Sequence, residues 1–443
     1  MSKYKRYEKY KDSGIEWIGE IPEHWEINKL KRLSNIITGN TPSKSEEENY
    51  DDEGIPWVKP DNIQDDGTVS ETKERLSVIG LQKARLIPKN SAIVCCIGTV
   101  GKVGFTQQDC TTNQQINSII FDRISIWNSK YGFYCLYSSK NEHEKYSNKV
   151  VVSILNKTQQ GNIIMPVPSL DEQKTIASFL DQKTAVIDDL IADKEKLIEL
   201  LQEKRQAIIT EAVTKGLNPN VKMKDSGIEW IGEIPEHWRI VRLKFLKTSP
   251  FQYGANEPAE MDDPQLPRYI RITDINEKGD LREDTFKSLS WESAQPYLLK
   301  DGDILFARSG ATVGKTFMYR GELGPACYAG YLIRFKPDKS KVNSYYIYYY
   351  TLSKVYEEWI KQNIIQATIQ NVSAEKYGNL QVPLPPLEEQ KGIVKYLNDK
   401  IEEIDILVES IYVQIQKLKE YRQSLISEAV TGKIDVRDYD VSN

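Results

Sequence analysis

Residues Lys11–Trp25 read KDSGIEWIGEIPEHW, and the same run returns unchanged at Lys224–Trp238, 213 positions further along a chain of 443 residues. A second pair of segments repeats with it. Pro166 opens PVPSLDEQK and Pro383 opens PLPPLEEQK, 217 positions apart, and each leads into a stretch that closes in Glu-Ala-Val-Thr, at 211–214 and at 428–431. Self-similarity over a long fixed period marks a chain assembled from copies of one supersecondary unit. The chain therefore reads as one unit written twice, and its function is to be sought in the doubling.

Between the repeated segments the halves rhyme without matching. Gly54–Ile63, Ser91–Ile97 and Asn117–Phe121 read as strands, and the aromatic spacing of Tyr131–Tyr146 predicts a helix on the sheet. Leu266–Ile275, Asp303–Arg308 and Tyr345–Tyr350 answer them in the second half. The repeated clip alternates turn residues (Ser13, Gly14, Gly19, Pro22) with apolar ones (Ile15, Trp17, Ile18, Ile21, Trp25), a pattern that neither a single helix nor a single strand accommodates. Its His24 and His237 read as packing or capping residues, and with only His143 besides them there is no histidine cluster for a metal.

The segments after the Pro-rich openings carry a heptad seam. In the second, Leu397, Ile401, Ile404, Val408, Ile411, Ile415, Leu418, Arg422, Leu425 and Ala429 alternate spacings of four and three; the first is more broken, with Thr184, Lys194 and Arg205 in the series. Ser169 with Glu172 forms a capping box, Pro385-Pro386 opens the second helix, and Gly216 and Gly432 lie just past the ends. Each helix is expected to run about 40 residues, or about 60 Å. So long an apolar stripe must be buried, and the economical partner for each helix is the other. The expected fold is mixed α/β (α+β), with two similar domains joined by two long helices in an antiparallel coiled coil. The expected divisions are 1–165, 166–223, 224–382 and 383–443.

Composition narrows the function. Charged residues make up 28% and hydrophobic ones 40%, as in a soluble globular protein. No apolar run approaches a membrane span, the charged start does not read as a signal peptide, and the five cysteines make no framework; a reducing cytoplasm is expected. A net charge of −5 argues against binding nucleic acid by bulk charge alone, so such binding must rest on local patches or on partners. Ser309–Thr316 nearly spells a P-loop, but Ser309 stands where glycine is needed and strand-like residues follow where a helix should. Lys102 and Lys315 in these glycine turns are instead expected to face a phosphate. The segment around Asp61 and Glu71-Thr72-Lys73 loosely resembles a nuclease pattern, but the second half has no equivalent. Polar side chains of the types that pair with base edges crowd the loops: Lys59, Asn62, Gln114, Lys157 and Gln160 in the first half, and Arg268, Arg271, Arg308 and Gln366 in the second. A solvated polar loop is the plain alternative for each of them.

The doubled DSGIEWIGEIPEHW, the doubled P-x-P-x-L-(D/E)-E-Q-K opening a long helix, and the EAVT closings together resemble the specificity subunit of type I restriction–modification enzymes. The resemblance covers nearly the whole chain. It implies two target-recognition domains, each reading half of a bipartite DNA site, and a helical spacer that docks two methyltransferase subunits, with Trp17, Trp25, Trp230 and Trp238 of the clips in the docking surface. It also implies motor-nuclease partners, no catalytic residues and no metal in this subunit. S-adenosylmethionine, ATP and Mg then belong to the partner subunits. The competing readings are a self-contained nuclease or methyltransferase, and a coiled-coil scaffold that binds no nucleic acid.

Overall fold

The computed structural model describes residues 4–439 except 124, 150–152, 277–278 and 366–370. The chain forms two compact units. The first comprises residues 1–195 with 412–443, and the second residues 196–411. The boundaries cut through both long helices, Leu170–Lys215 and Leu387–Val430, so each unit holds one part of each.

The same topology is built in both units. In the first, an antiparallel sheet orders its strands Asn35–Thr38, Ile116–Ile120, Ala92–Cys95 and Val103–Phe105, with Asn117 opposite Thr38 and Val94 opposite Val103. In the second, the order is Gln252–Tyr253, Leu332–Phe335, Ile304–Ala307 and Thr316–Met318, with Tyr253 opposite Ile333 and Phe306 opposite Thr316. The central strands are buried along their length, which suits their Ile, Val, Leu and Phe content. A parallel pair accompanies each sheet, Trp57 beside Thr111 and Tyr269 beside Cys327. The aromatic helices are Ser129–Ser138 and Ser344–Thr351, each capped by an Asn side chain, Asn128 and Asn343. The near-P-loop is a hairpin turn: Ala307 N–H donates to the Lys315 carbonyl at 2.8 Å, and a strand follows.

The clip is more regular than its sequence suggests. Tyr10–Asp12 pairs with Glu20–Pro22, and Met223–Asp225 with Glu233–Pro235, as two short antiparallel ladders. Each ladder leads to a buried tryptophan, and there the two repeated sequences meet. Trp25 Nε1 donates to Glu172 Oε1 at 3.3 Å, and His24 Nε2 lies 2.9 Å from the same oxygen. Trp238 Nε1 donates to Glu389 Oε1 at 3.1 Å, with His237 Nε2 at 2.8 Å from Glu389 Oε2. Burial pushes the Glu172 carboxyl up, but hydrogen bonds from His24, Ser169 and Trp25 outweigh it and hold it below the usual carboxylate range. The next residue fastens the domain. Gln173 accepts from Asn128 N–H at 2.7 Å, and Gln390 from Asn343 N–H at 2.8 Å. Thus the EHW of each clip and the EQ of each helix opening are two sides of one joint, and the histidines are hydrogen-bond partners in it.

The helices close the units. Ser169 and Glu172 cap each other's backbone N–H, as the spacing predicts. The seam residues Ile187, Ile191, Ile198, Ile401, Ile404, Val408, Ile411 and Ile415 are all buried. In the first unit the end of the second long helix lies on the first clip. Tyr131 OH donates to the Val430 carbonyl at 3.1 Å, and Tyr10 OH to that of Gly432 at 3.0 Å. In the second unit Tyr346 OH donates to the Val213 carbonyl at 3.1 Å, the same contact made by the end of the first long helix. No described helix is long and apolar enough to cross a membrane.

Candidate nucleic-acid interface

One end of each sheet presents a surface on matched backbone. In the first unit Cys96 N–H donates to the Gln115 carbonyl at 2.7 Å, and Leu155 N–H to that of Cys96 at 2.8 Å. In the second unit Arg308 N–H donates to the Tyr331 carbonyl at 3.0 Å, and Val372 N–H to that of Arg308 at 2.8 Å. The flanking strand ends in glycine in both units. A Cβ would meet the carbonyls of Thr112 and Asn113 at Gly39, and those of Tyr328 and Ala329 at Gly254. Hydrogen-bond equivalence therefore sets Cys96 against Arg308, Gln115 against Tyr331, and Ile154 against Asn371.

The side chains on this shared frame differ throughout. The second unit shows Tyr331 at 63% and Tyr253 at 40% exposure, with the Arg308 guanidinium 4.9 Å over the Tyr253 ring. Asn256 and Asn371 are exposed beside them. The first unit shows Gln114, which accepts from Thr41 Oγ1, with half-buried Gln115, exposed Ile154 and exposed Lys157. One frame thus carries an aromatic and cationic surface in one unit and an amide-rich one in the other.

Several residues singled out from sequence fall elsewhere. Asn62 caps a short 3-10 turn: its Oδ1 accepts from Lys59 N–H at 2.9 Å and its Nδ2 donates to the Glu71 carbonyl. Arg271 is held the same way, in a fork on Asp274 at 2.8 and 3.1 Å and on the Thr285 carbonyl. Arg268 is 8% exposed and spent on Glu283 and the Arg282 carbonyl. Gln160 is fully buried, accepting from Asn117 Nδ2 at 2.8 Å. None of these four stands on the exposed sheet end: Arg268 and Gln160 are buried, and Asn62 and Arg271 are committed to local hydrogen bonds. Trp25 and Trp238 are likewise fully buried and so cannot form a docking surface, whereas Trp17 and Trp230 are half-buried. The indole N–H of both half-buried tryptophans lacks a hydrogen-bond partner. Lys59 pairs with Glu74 at 2.7 Å, and Lys102 with Asp65 at 3.5 Å. Lys315 lines a cleft with Gln206 and Tyr356. Gln366 lies outside the described residues. Sequence reading missed Tyr331; its contrast with Gln115 shows only once the matched backbone aligns the halves.

A family model described as type I restriction modification DNA specificity domain matches residues 22–200 and 256–417, one match in each half. The chain is 25% identical over 443 residues to the type I restriction enzyme MjaVIII specificity subunit of Methanocaldococcus jannaschii, covering 94% of this chain and 95% of that protein. It is 22% identical over 432 residues to the type I restriction enzyme EcoBI specificity subunit of Escherichia coli, covering 96% and 89%. A structure solved in work on complex assembly and conformational transition of the type I R-M system is similar in fold, with a TM-score of 0.70 at 16% identity. That match covers 93% of this chain and 98% of the other.

Proposed function

Because the chain belongs to the type I restriction modification DNA specificity family, we propose that it is the subunit that reads a bipartite DNA target for such an enzyme, with one recognition domain on each half-site. The observation that carries this reading is the sheet end that repeats its backbone hydrogen bonds in both units while exchanging every exposed side chain. A scaffold used once for each of two sequences requires that arrangement. Direct readout uses donors and acceptors at base edges, and Gln114, Asn256, Arg308 and Asn371 supply them; Lys157 and the exposed tyrosine hydroxyls suit phosphates.

The helices are the spacer in this reading. The pairs Asp188–Arg422, Lys194–Gln414 and Arg205–Asp405 run in opposite senses along the two helices, which supports an antiparallel pair. A second apolar stripe is left to solvent on each: Val186, Leu190, Leu197 and Leu200 on one, and Ile406, Leu407, Tyr412 and Val413 on the other. Exposed stripes of this kind suit partner helices, here those of two methyltransferase subunits, with motor-nuclease subunits joining the assembly. Catalysis, and with it S-adenosylmethionine, ATP and Mg, falls to those partners. Their cations also supply phosphate contacts that a chain of net charge −5 lacks.

The test is methylation mapping in a host expressing the chain with its modification subunit. Arg308→Ala with Tyr331→Ala should relax one half-site and leave the other intact, while Gln114→Ala with Lys157→Ala should do the converse. Equal relaxation of both half-sites by either pair would refute the assignment.

A further inference from the structure

The repeat leaves one binding slot filled in the first unit and open in the second. Phe179 on the first long helix is fully buried, enclosed edge-on by Tyr439 at 4.9 Å and Tyr4 at 5.4 Å between ring centroids. The Tyr439 hydroxyl donates to Gln182 Oε1 at 2.7 Å, and Lys183 Nζ stands 5.1 Å over its ring. An aromatic wall, an acceptor and a cation thus hold one tyrosine. Each has a counterpart 217 residues further on: Tyr396 for Phe179, Asp399 for Gln182 and Lys400 for Lys183.

In the second unit no aromatic ring packs on Tyr396 among the described residues, and Lys400 is turned to Glu403 at 2.7 Å. Gly216–Lys222 runs straight from helix to clip and offers no equivalent of Tyr4 or Tyr439. Tyr396 is 36% exposed, and Ile208, Leu217, Val221 and Met223 join it around a cavity of about 580 Å³. The charges are also left over. In the first unit Arg6 stands 3.9 Å from Glu20. The counterpart Glu233 lines the open slot with Glu211 and Lys215, which leaves the lining with one net negative charge, and among the described residues neither glutamate forms an ion pair.

We propose that this slot receives a tyrosine side chain, flanked by a basic residue, from the modification subunit that docks on the second unit. The identity of the partner rests on the function proposed above. The ring would pack edge-on against Tyr396, its hydroxyl would donate to the Asp399 carboxylate, and the adjacent cation would meet Glu233 and Glu211. The first unit fills its slot with its own chain. The two partner copies therefore bind unequal sites, and only one depends on the slot.

The experiment uses the full chain co-purified with its modification subunit. A photoreactive benzoylphenylalanine at position 396 should cross-link to one modification-subunit peptide containing tyrosine. Tyr396→Ala should weaken retention of one of the two partner copies at least tenfold, and Tyr396→Phe should restore it. Thermal melts of the free variants confirm folding, which a residue this exposed should not disturb. A cross-link to a second copy of this chain would overturn the proposal. So would an intact complex without any cross-link, or wild-type retention by Tyr396→Ala. Failure of the wild-type chain to assemble with the modification subunit at all would instead sink the functional reading, and the slot's partner with it.

Discussion

Replacing Arg422 with methionine isolates a contact that ties the helix seam to the first recognition domain. Arg422 sits 7% exposed among apolar seam residues, with Nε 2.8 Å from Asp188 Oδ1 on the other long helix. Its Nη2 donates to the Asp66 carbonyl at 2.9 Å, and its guanidinium stands 5.3 Å over the Tyr137 ring. Methionine keeps the apolar stem and removes the charge. Stripping one partner from a buried pair costs about 3–5 kcal/mol; the Asp188 side chain keeps 34% exposure, so solvent screening lowers the expectation to about 2 kcal/mol. The repeat supplies its own control. Arg205 and Asp405 stand at the same seam positions, but 3.8 Å apart with Asp405 at 59% exposure, so Arg205→Met should cost about 0.5 kcal/mol or less. Two-state unfolding is a poor readout for two units. Amide exchange is local, and 2 kcal/mol corresponds to roughly 30-fold faster opening of the turn at 64–68 and of residues 184–192. Burial already holds the Asp188 carboxyl above its usual range despite Arg422. With the cation gone, the folded state binds a proton more readily than the unfolded state. The variant's deficit should therefore shrink as pH falls through that raised value and grow as pH rises. Equal effects from the two arginines, or a deficit that does not change with pH, would refute the reasoning.

Glu172→Gln should cost about 1 kcal/mol at pH 7, because a depressed carboxylate stabilises the fold above its unfolded pKa. Acid titration of stability should show the gap to wild type closing as pH falls below about 4. Inserting one heptad between Ile191 and Ile198 keeps the seam in phase and adds about 10 Å of helix. Methylation mapping should then find a longer unread spacer, by about three base pairs, between unchanged half-sites. A permutant that joins residue 443 to residue 1 and is opened near Asn218 should still assemble and bind DNA, since Asp435 N–H already donates to the Lys5 carbonyl at 2.8 Å; a permutant that fails to fold would count against that closure.

What was legible in the sequence, and what was not, divides along the repeat itself. The seam, the capping box and the helix-end glycines follow local rules of period and backbone angle, and each stands where the spacing puts it. The residues that fall away from the exposed sheet end were singled out one at a time, by side-chain type. The segments around Lys59–Ile63 and Arg271–Ile275 occupy matching places in the two halves, and Asn62 and Asp274 accept from the backbone N–H three residues earlier at 2.9 and 2.8 Å. A polar group recurring at one place in both copies serves what the copies share, which is the backbone. The glutamates that receive His24 and His237 likewise recur in both copies. On the proposed reading, residues that meet different half-sites must differ between copies, as the exposed Tyr331 differs from Gln115 at the matched position. That comparison needs a residue-level alignment of the halves. Outside the anchors their sequences are too diverged to give one, and only the matched hydrogen bonds of the two sheets supply it.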